Sequence, residues 1–326
     1  MKYRLLGKTG YKISEVSLGT WQVGGKWGSG FNENTAAEIL NKAIDSGINF
    51  IDTADVYEGG LSEKAVGKAV KFSDQKIYIA TKCGRQINPH TSEGYTPKAL
   101  RTFVESSLKN LDLEIIDLIQ LHCPPTEVYY RPEIFSLFDD LKKEGKIGAL
   151  GVSVEKVEEG LKAIEYDNVD TVQIIFNMFR QRPNELFFEQ AKKKNIGIIA
   201  RVPLASGLLT GKFSRNSEFH KDDHRNFNRN GEVFDKGETF SGVDFELGLK
   251  AVKELEDIFG THLTQAALKW VLMHDEVSCV IPGASKLTHL VSNIKASDYD
   301  LLSEKEMSEV RSVYETYIRN SVHHLW

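Results

Sequence analysis

No apolar run in this 326-residue sequence approaches the roughly 20 residues needed to cross a bilayer, and the opening Met1-Lys2-Tyr3-Arg4-Leu5-Leu6-Gly7 lacks the long apolar core of a secretory signal. Both absences predict a chain with no membrane partner and a cytoplasmic address. Cysteine is scarce: Cys83, Cys123 and Cys279 are an odd set without a CxxC pair. That argues against a disulfide framework and a zinc site and leaves three reduced, buried thiols as the simplest reading. Excess charge of one sign is also missing, since the formal net charge is −5 with both signs interspersed. There is no basic footprint for nucleic acid and no polybasic tract, so any anionic ligand must be held by local groups. Finally, no GxGxxG follows an early strand, which removes the phosphate-binding turn of a dinucleotide-binding open sheet.

What is present suffices for a large core. The composition is 41% hydrophobic and 27% charged, unlike that of disordered chains. From about residue 35 amphipathic runs alternate with short apolar, β-branched runs, the pattern of parallel strands joined by crossover helices. Thr35 and Glu38 have the spacing of a capping box, Ile39, Leu40, Ala43 and Ile44 share a helical face, and Gly47 stops the helix. Strands are expected at 16–18, 48–52, 77–83, 115–122, 147–152, 171–176, 197–202 and 278–281, with helices between them. Thr96 and Pro97 open one of these helices as cap and first residue. Eight such repeats over residues 1–326 predict one α/β domain, a (β/α)8 TIM barrel. The first dozen residues, with Gly7 and Gly10 as turn residues, predict an N-terminal hairpin that plugs the barrel bottom.

One connection is long. From Pro203 to about Phe245, after the seventh strand, charges outnumber regular apolar positions, as in His220-Lys221-Asp222-Asp223-His224-Arg225. A solvated excursion and a lid over a ligand are both open readings, and a lid fits a loop that leaves the active face of a barrel.

Polar residues at the strand ends converge on that face. Asp52 ends the second strand, Tyr57 follows it, Lys82 ends the third and His122 the fourth. Each alone has an ordinary explanation: a cap, a half-buried packing residue, a snorkelling lysine, a satisfied core histidine. Together they make a proton-delivery device. A tyrosine pKa near 10 is too high for an efficient acid at neutral pH, and a neighbouring ammonium lowers it. Lys82 can be that ammonium, Asp52 can hold it charged, and His122 can hydrogen-bond a carbonyl oxygen.

In these residues the chain resembles the aldo-keto reductases, whose catalytic tetrad is Asp, Tyr, Lys and His in this order. The resemblance spans essentially the whole chain. It is carried by the segments 47–57, 62–67, 79–82, 118–122 and 151–153, by Gln173 with Asn177, and by 203–212 and 281–286. It implies NADP(H)-dependent reduction of an aldehyde or ketone, with catalytic Asp52, Tyr57, Lys82 and His122. Gly19, Thr20, Trp21 and Asp52 would border the nicotinamide, and Ser153 and Gln173 would contact its carboxamide. A stacking ring is expected at the end of the sixth or seventh strand, where Phe176 stands in place of a frequent tyrosine and Arg201 and Val202 precede Pro203.

Further cofactor positions are Pro203, Leu204, Ser206, Gly207, Leu209, Gly211 and Lys212 along a glycine-punctuated loop that can approach a pyrophosphate. Gly283, Ser285, Lys286, His289 and Asn293 would serve the 2′-phosphate and adenine. Trp21, Trp27, Tyr57, His122 and the loop 124–131 are expected around the small-molecule carbonyl substrate. Two rivals remain: a class I aldolase using Lys82 as a Schiff base, and a cofactor-binding regulatory subunit of the same fold.

Overall fold

Strict alternation of inward and outward side chains along short parallel strands generates this fold. The structure, a computed structural model, describes residues 1–25 and 30–326. Strands β1 (Tyr3–Leu5) and β2 (Lys12–Ser14) form the antiparallel hairpin. Strands β3 (Leu18–Gly19), β4 (Phe50–Asp52), β5 (Tyr78–Cys83), β6 (Ile116–His122), β7 (Ile147–Ser153), β8 (Val169–Ile175), β9 (Gly197–Arg201) and β10 (Val277–Val280) form an eight-stranded sheet in sequential order. Neighbouring strands of this sheet pair in parallel throughout. The sheet closes on itself through parallel bridges from Val16 to Val280 and from Gly19 to Gly283. The Ser17 amide donates to the Val280 carbonyl at 2.9 Å along this seam. Glycine at 19 is a packing requirement there, because a Cβ would lie 2.7 Å from the Ile281 carbonyl oxygen.

Two separate apolar clusters follow from the alternation. Inside, Phe50, Ala80, Leu118, Ala149, Ile199 and Cys279 meet Leu6 and Ile13 of the hairpin, which thus plugs the barrel as expected. Their outward neighbours, such as Ile51, Ile79, Ile119, Leu150 and Ile198, pack under the helices in a second, larger cluster. Burying one such side chain contributes about 1.5–3 kcal/mol, so this layer carries most of the driving force.

Local chemistry at helix ends departs from expectation in places. The first helix, Glu33–Asp45, is capped by Asn32, whose Oδ1 accepts the Thr35 amide at 2.8 Å, so Thr35 lies inside the helix. Thr96 does cap Pro97–Leu111. A helix absent from the sequence reading, Phe245–Phe259, starts at Asp244 and buries Phe245, Gly248, Ala251, Val252, Leu255 and Phe259. No helix among the described residues is long and apolar enough to cross a membrane.

The long connection is not a solvated excursion. Phe213, Phe219, Phe240 and Phe245 pack ring to ring, with the Arg225 guanidinium 4.7 Å from the Phe219 centroid. Buried Asn228 accepts the amides of Val233 and Phe234 through Oδ1. Its apolar residues are spaced for folding on themselves, not for a helix or strand, and so left no periodic signal.

Candidate active site

One step of the alternation beyond the barrel's inner apolar layer, the inward positions turn polar. Phe50 is followed two residues later by Asp52, Ala80 by Lys82, Leu118 by Gln120 and His122, and Ile199 by Arg201. Tyr57 enters from the loop after β4, where Glu58 (φ 48°) and Gly59 (φ 60°) take left-handed conformations.

Lys82 uses all three ammonium donors: to Asp52 Oδ2 at 2.5 Å, to the Thr53 carbonyl at 2.9 Å and to Tyr57 Oη at 3.2 Å. Asp52 Oδ1 in turn accepts from the amides of Gln120 (3.0 Å) and Gln173 (2.8 Å). Gln173 therefore lines the cavity while donating to Asp52, and Gln120, which the sequence reading missed, completes the set. Burial pushes the Lys82 pKa down, but Asp52 and Tyr57 outweigh it and the value is raised. For Tyr57 burial is the largest influence and raises the pKa, while Lys82 pulls it down without cancelling that effect. Lys82 thus acts on Tyr57 in the expected direction, against a burial effect the sequence did not reveal. His122 is held well below its usual value by burial and by Arg85, Lys82 and Arg201, so its imidazole is neutral. Its buried Nδ1 has no hydrogen-bond partner among the described residues, leaving Nε2 as the nitrogen that can reach a ligand.

Of these groups, Asp52, Tyr57, His122 and Gln173 line a cavity of about 330 Å³. Of the residues the sequence singled out, Gly19, Thr20, Trp21, Asp52, Tyr57, His122, Ser153, Gln173, Arg201 and Pro203 line it, together with Leu204, Ser206, Gly207, Lys212, Gly283, His289 and Asn293. Ser285 and Lys286 border an adjoining depression that also contains Glu38. Leu209 is fully buried, and Gly211 faces Glu256. The loop 124–131 does not line the cavity: Val128 and Tyr129 are buried, with the Tyr129 hydroxyl 3.4 Å from the Ser153 carbonyl oxygen, and Tyr130 is exposed. Trp27 lies outside the described residues.

Phe176 also misses the cavity. Because Gln173 points inward, Phe176, three residues on, must point outward, where it packs against Phe188, Trp270 and His274. Trp21 is clasped from above by the long loop, with its ring centroid 4.8 Å from His224 and 6.2 Å from Phe234.

A buried charge network that the sequence reading missed adjoins His122. Glu238 pairs with Arg85 at 2.8 Å, and Arg201 with Glu155 at 2.9 Å. Arg85, Glu155 and Glu238 come from three separate loops, so no local motif announces them. Burial, together with neighbouring Glu238, raises the Glu155 pKa to about 8 although Arg201 opposes this. The two arginines hold Glu238 well below the usual carboxylate range.

Asp52 and Tyr57 line the same cavity as Lys212, Thr264, His289 and Asn293. The turn Ala205–Thr210, with Ser206 and Gly207 at φ 54° and 98°, contributes to its wall. The barrel thus carries a hydrogen-bonded chain of Asp52, Lys82 and Tyr57 where its strands end. Residues 15–315 match the model of the aldo/keto reductase family, and the chain belongs to that family. It is an oxidoreductase of a family that uses nicotinamide cofactors. The chain is 32% identical over 317 residues to the uncharacterised oxidoreductase YqkF of Bacillus subtilis, covering 96% of each chain. It is 28% identical over 337 residues to the NADH-specific methylglyoxal reductase of Escherichia coli, covering 95% of this chain and 99% of the relative. Among solved structures it resembles the glycerol dehydrogenase AKR11B4 of Gluconobacter oxydans, with TM-score 0.78, 32% identity and coverage of 97% and 96%.

Proposed function

We propose that this protein reduces aldehydes or ketones to alcohols with NADPH, Tyr57 acting as the proton donor. The observation that carries this reading is the unbroken chain Asp52–Lys82–Tyr57 beneath a neutral His122. NADPH, when bound, supplies the hydride. His122 orients the carbonyl oxygen by donating from Nε2, which its neutrality permits with the proton on that nitrogen. Tyr57 Oη then gives its proton to the developing alkoxide, and Lys82 stabilises the phenolate left behind. Asp52 keeps Lys82 charged, and Gln120 and Gln173 keep Asp52 in place. Trp21 and the loop above it shield the site from water.

The choice of NADPH rests on Lys212 in the cavity wall and Lys286 in the adjoining depression, which can offset a 2′-phosphate. Arg225 also lines the cavity but is tied to Asp223. The aldolase alternative is disfavoured, because imine formation needs a neutral lysine and Asp52 holds Lys82 protonated. A panel of aldehydes and ketones followed by NADPH absorbance tests the proposal. Turnover of several carbonyls with NADPH is expected, and tight cofactor binding without turnover across the panel would overturn it.

A further inference from the structure

Asp55 stands between Asp52 and Tyr57 in the chain, and the relay makes no use of it. The Tyr57 amide donates to the Ala54 carbonyl at 3.1 Å, so Asp55 lies inside the tight turn that delivers the phenol. That turn is pinned to β5: the Asp55 amide donates to the Lys82 carbonyl at 3.4 Å, and the Lys82 ammonium to the Thr53 carbonyl at 2.9 Å. Beyond Tyr57 the chain passes through left-handed Glu58, Gly59 and Gly60 into the helix Leu61–Lys71. The Asp55 side chain is buried, and neither carboxyl oxygen has a well-formed hydrogen bond among the described residues. Glu63, on the helix, is also buried, but its two oxygens accept from Thr81 Oγ1 at 2.6 Å and from Asn110 Nδ2 at 2.9 Å. Two carboxyl groups thus share the interior behind the turn, one fully engaged and one not.

We propose that Asp55 is a positioning residue for Tyr57: uncharged, it lets the turn 53–57 pack in the interior with the phenol on Lys82, and ionised beside Glu63, it draws the turn toward water and the phenol off Lys82. The inference rests on the function proposed above, since it concerns the same proton donor. A buried carboxylate without hydrogen-bond partners is costly, and a second carboxylate beside it adds repulsion. The relief open to an ionised Asp55 is movement of its own turn. Glu63 is fixed by Thr81 and Asn110, whereas Gly59 and Gly60 follow the turn immediately and can absorb a change of backbone angle.

Charged and titratable groups face Asp55 from each neighbouring element: Glu63 from the helix, Lys82 and Cys83 from β5, and Tyr95 from the segment before the helix Pro97–Leu111. Burial pushes the Cys83 and Tyr95 pKa values up, so both stay protonated. Burial first, and Glu63 second, raise the Asp55 pKa to about 7, while Gln86, the Val56 amide and Lys82 act the other way without cancelling them. Tyr57 and Lys82 are raised and His122 is held well below its usual value, so none of these three changes charge near neutrality. Glu155 also titrates in this range, at about 8, and its variant serves as the control.

The test is the pH profile of reduction with saturating NADPH and 4-nitrobenzaldehyde, or another aldehyde of the panel that is turned over. The wild-type kcat should fall about tenfold or more between about pH 6 and about pH 8.5, as loss of one proton centred near 7 requires. Asp55→Asn (D55N), whose side chain stays neutral, should hold kcat within about threefold over that range, and E155Q should keep the decline. Stability gives a readout that needs no turnover. The folded-state pKa of Asp55 lies above its unfolded value, so the wild type loses stability from about pH 4 to about pH 7 and nothing further from this group above that. The urea midpoint of D55N should therefore gain on wild type across that interval and keep its lead at higher pH. A flat wild-type kcat, a decline that D55N retains or E155Q abolishes, or a D55N midpoint that never gains on wild type would overturn the inference and leave the proposed function standing. Absence of turnover at every pH would overturn both.

Discussion

Replacing Asp52 by asparagine tests the relay by charge alone, because size and shape hardly change. Asp52 and Lys82 are both almost fully buried and lie 2.5 Å apart. At an effective dielectric of about 20 their attraction is about 7 kcal/mol, most of which offsets the cost of removing two charges from water. In D52N the new side chain would still accept from Gln120 and Gln173 through its amide oxygen, but its NH2 would face the ammonium, leaving Lys82 with only the Thr53 carbonyl and Tyr57. Loss of one partner of such a pair should destabilise the fold by about 3–5 kcal/mol at neutral pH. Urea unfolding of D52N against wild type measures this. The pH dependence supplies a sign. In the wild type the Lys82 pKa is raised above its usual value. Its contribution is therefore complete below the ordinary lysine pKa of about 10.4 and lost as pH climbs through the raised value. In D52N burial acts without its main opponent and lowers that pKa, so the variant gains stability as pH rises toward the alkaline range. The gap between the two proteins should narrow with increasing pH. A D52N stability within about 1 kcal/mol of wild type, or a gap independent of pH, would refute the reasoning.

Tyr57→Phe removes the phenolic proton and should lower kcat by about 10² to 10⁴ while cofactor affinity, measured by direct titration, stays roughly unchanged. Full turnover in that variant would take Tyr57 out of the chemistry. Lys286→Ala should weaken NADPH binding by about 1–3 kcal/mol and NADH binding far less, and equal effects would show that the depression beside the cavity does not read the 2′-phosphate. Gly67→Ala should destabilise the protein by about 1–3 kcal/mol, because a Cβ would meet the Leu111 carbonyl oxygen at 2.0 Å where the helix Leu61–Lys71 crosses the end of its neighbour. Thermal or urea unfolding equal to wild type would show that the helices shift apart at little cost.

Local pattern was enough for the barrel and the hairpin plug, and for placing Asp52, Tyr57, Lys82 and His122 at one end of the barrel. Strand parity and helix periodicity are properties of neighbouring residues, and a parallel barrel turns strand order directly into spatial order. Asp52, Lys82 and His122 stand at the ends of consecutive strands, so their meeting follows from the alternation itself. Parity also held information that the sequence reading left unused: an inward Gln173 already requires an outward Phe176. Folding was needed to bring Arg85, Glu155, Arg201 and Glu238 together, because their contacts join residues separated by tens of positions and their spacing carries no period. The same holds for the long loop, whose phenylalanines stabilise it through contacts with one another and whose His224 and Phe234 close over Trp21. Burial worked in the same hidden way on Tyr57: the charge beside it could be anticipated from the chain, but the loss of solvent that raises its pKa exists only once the barrel and the loop enclose it.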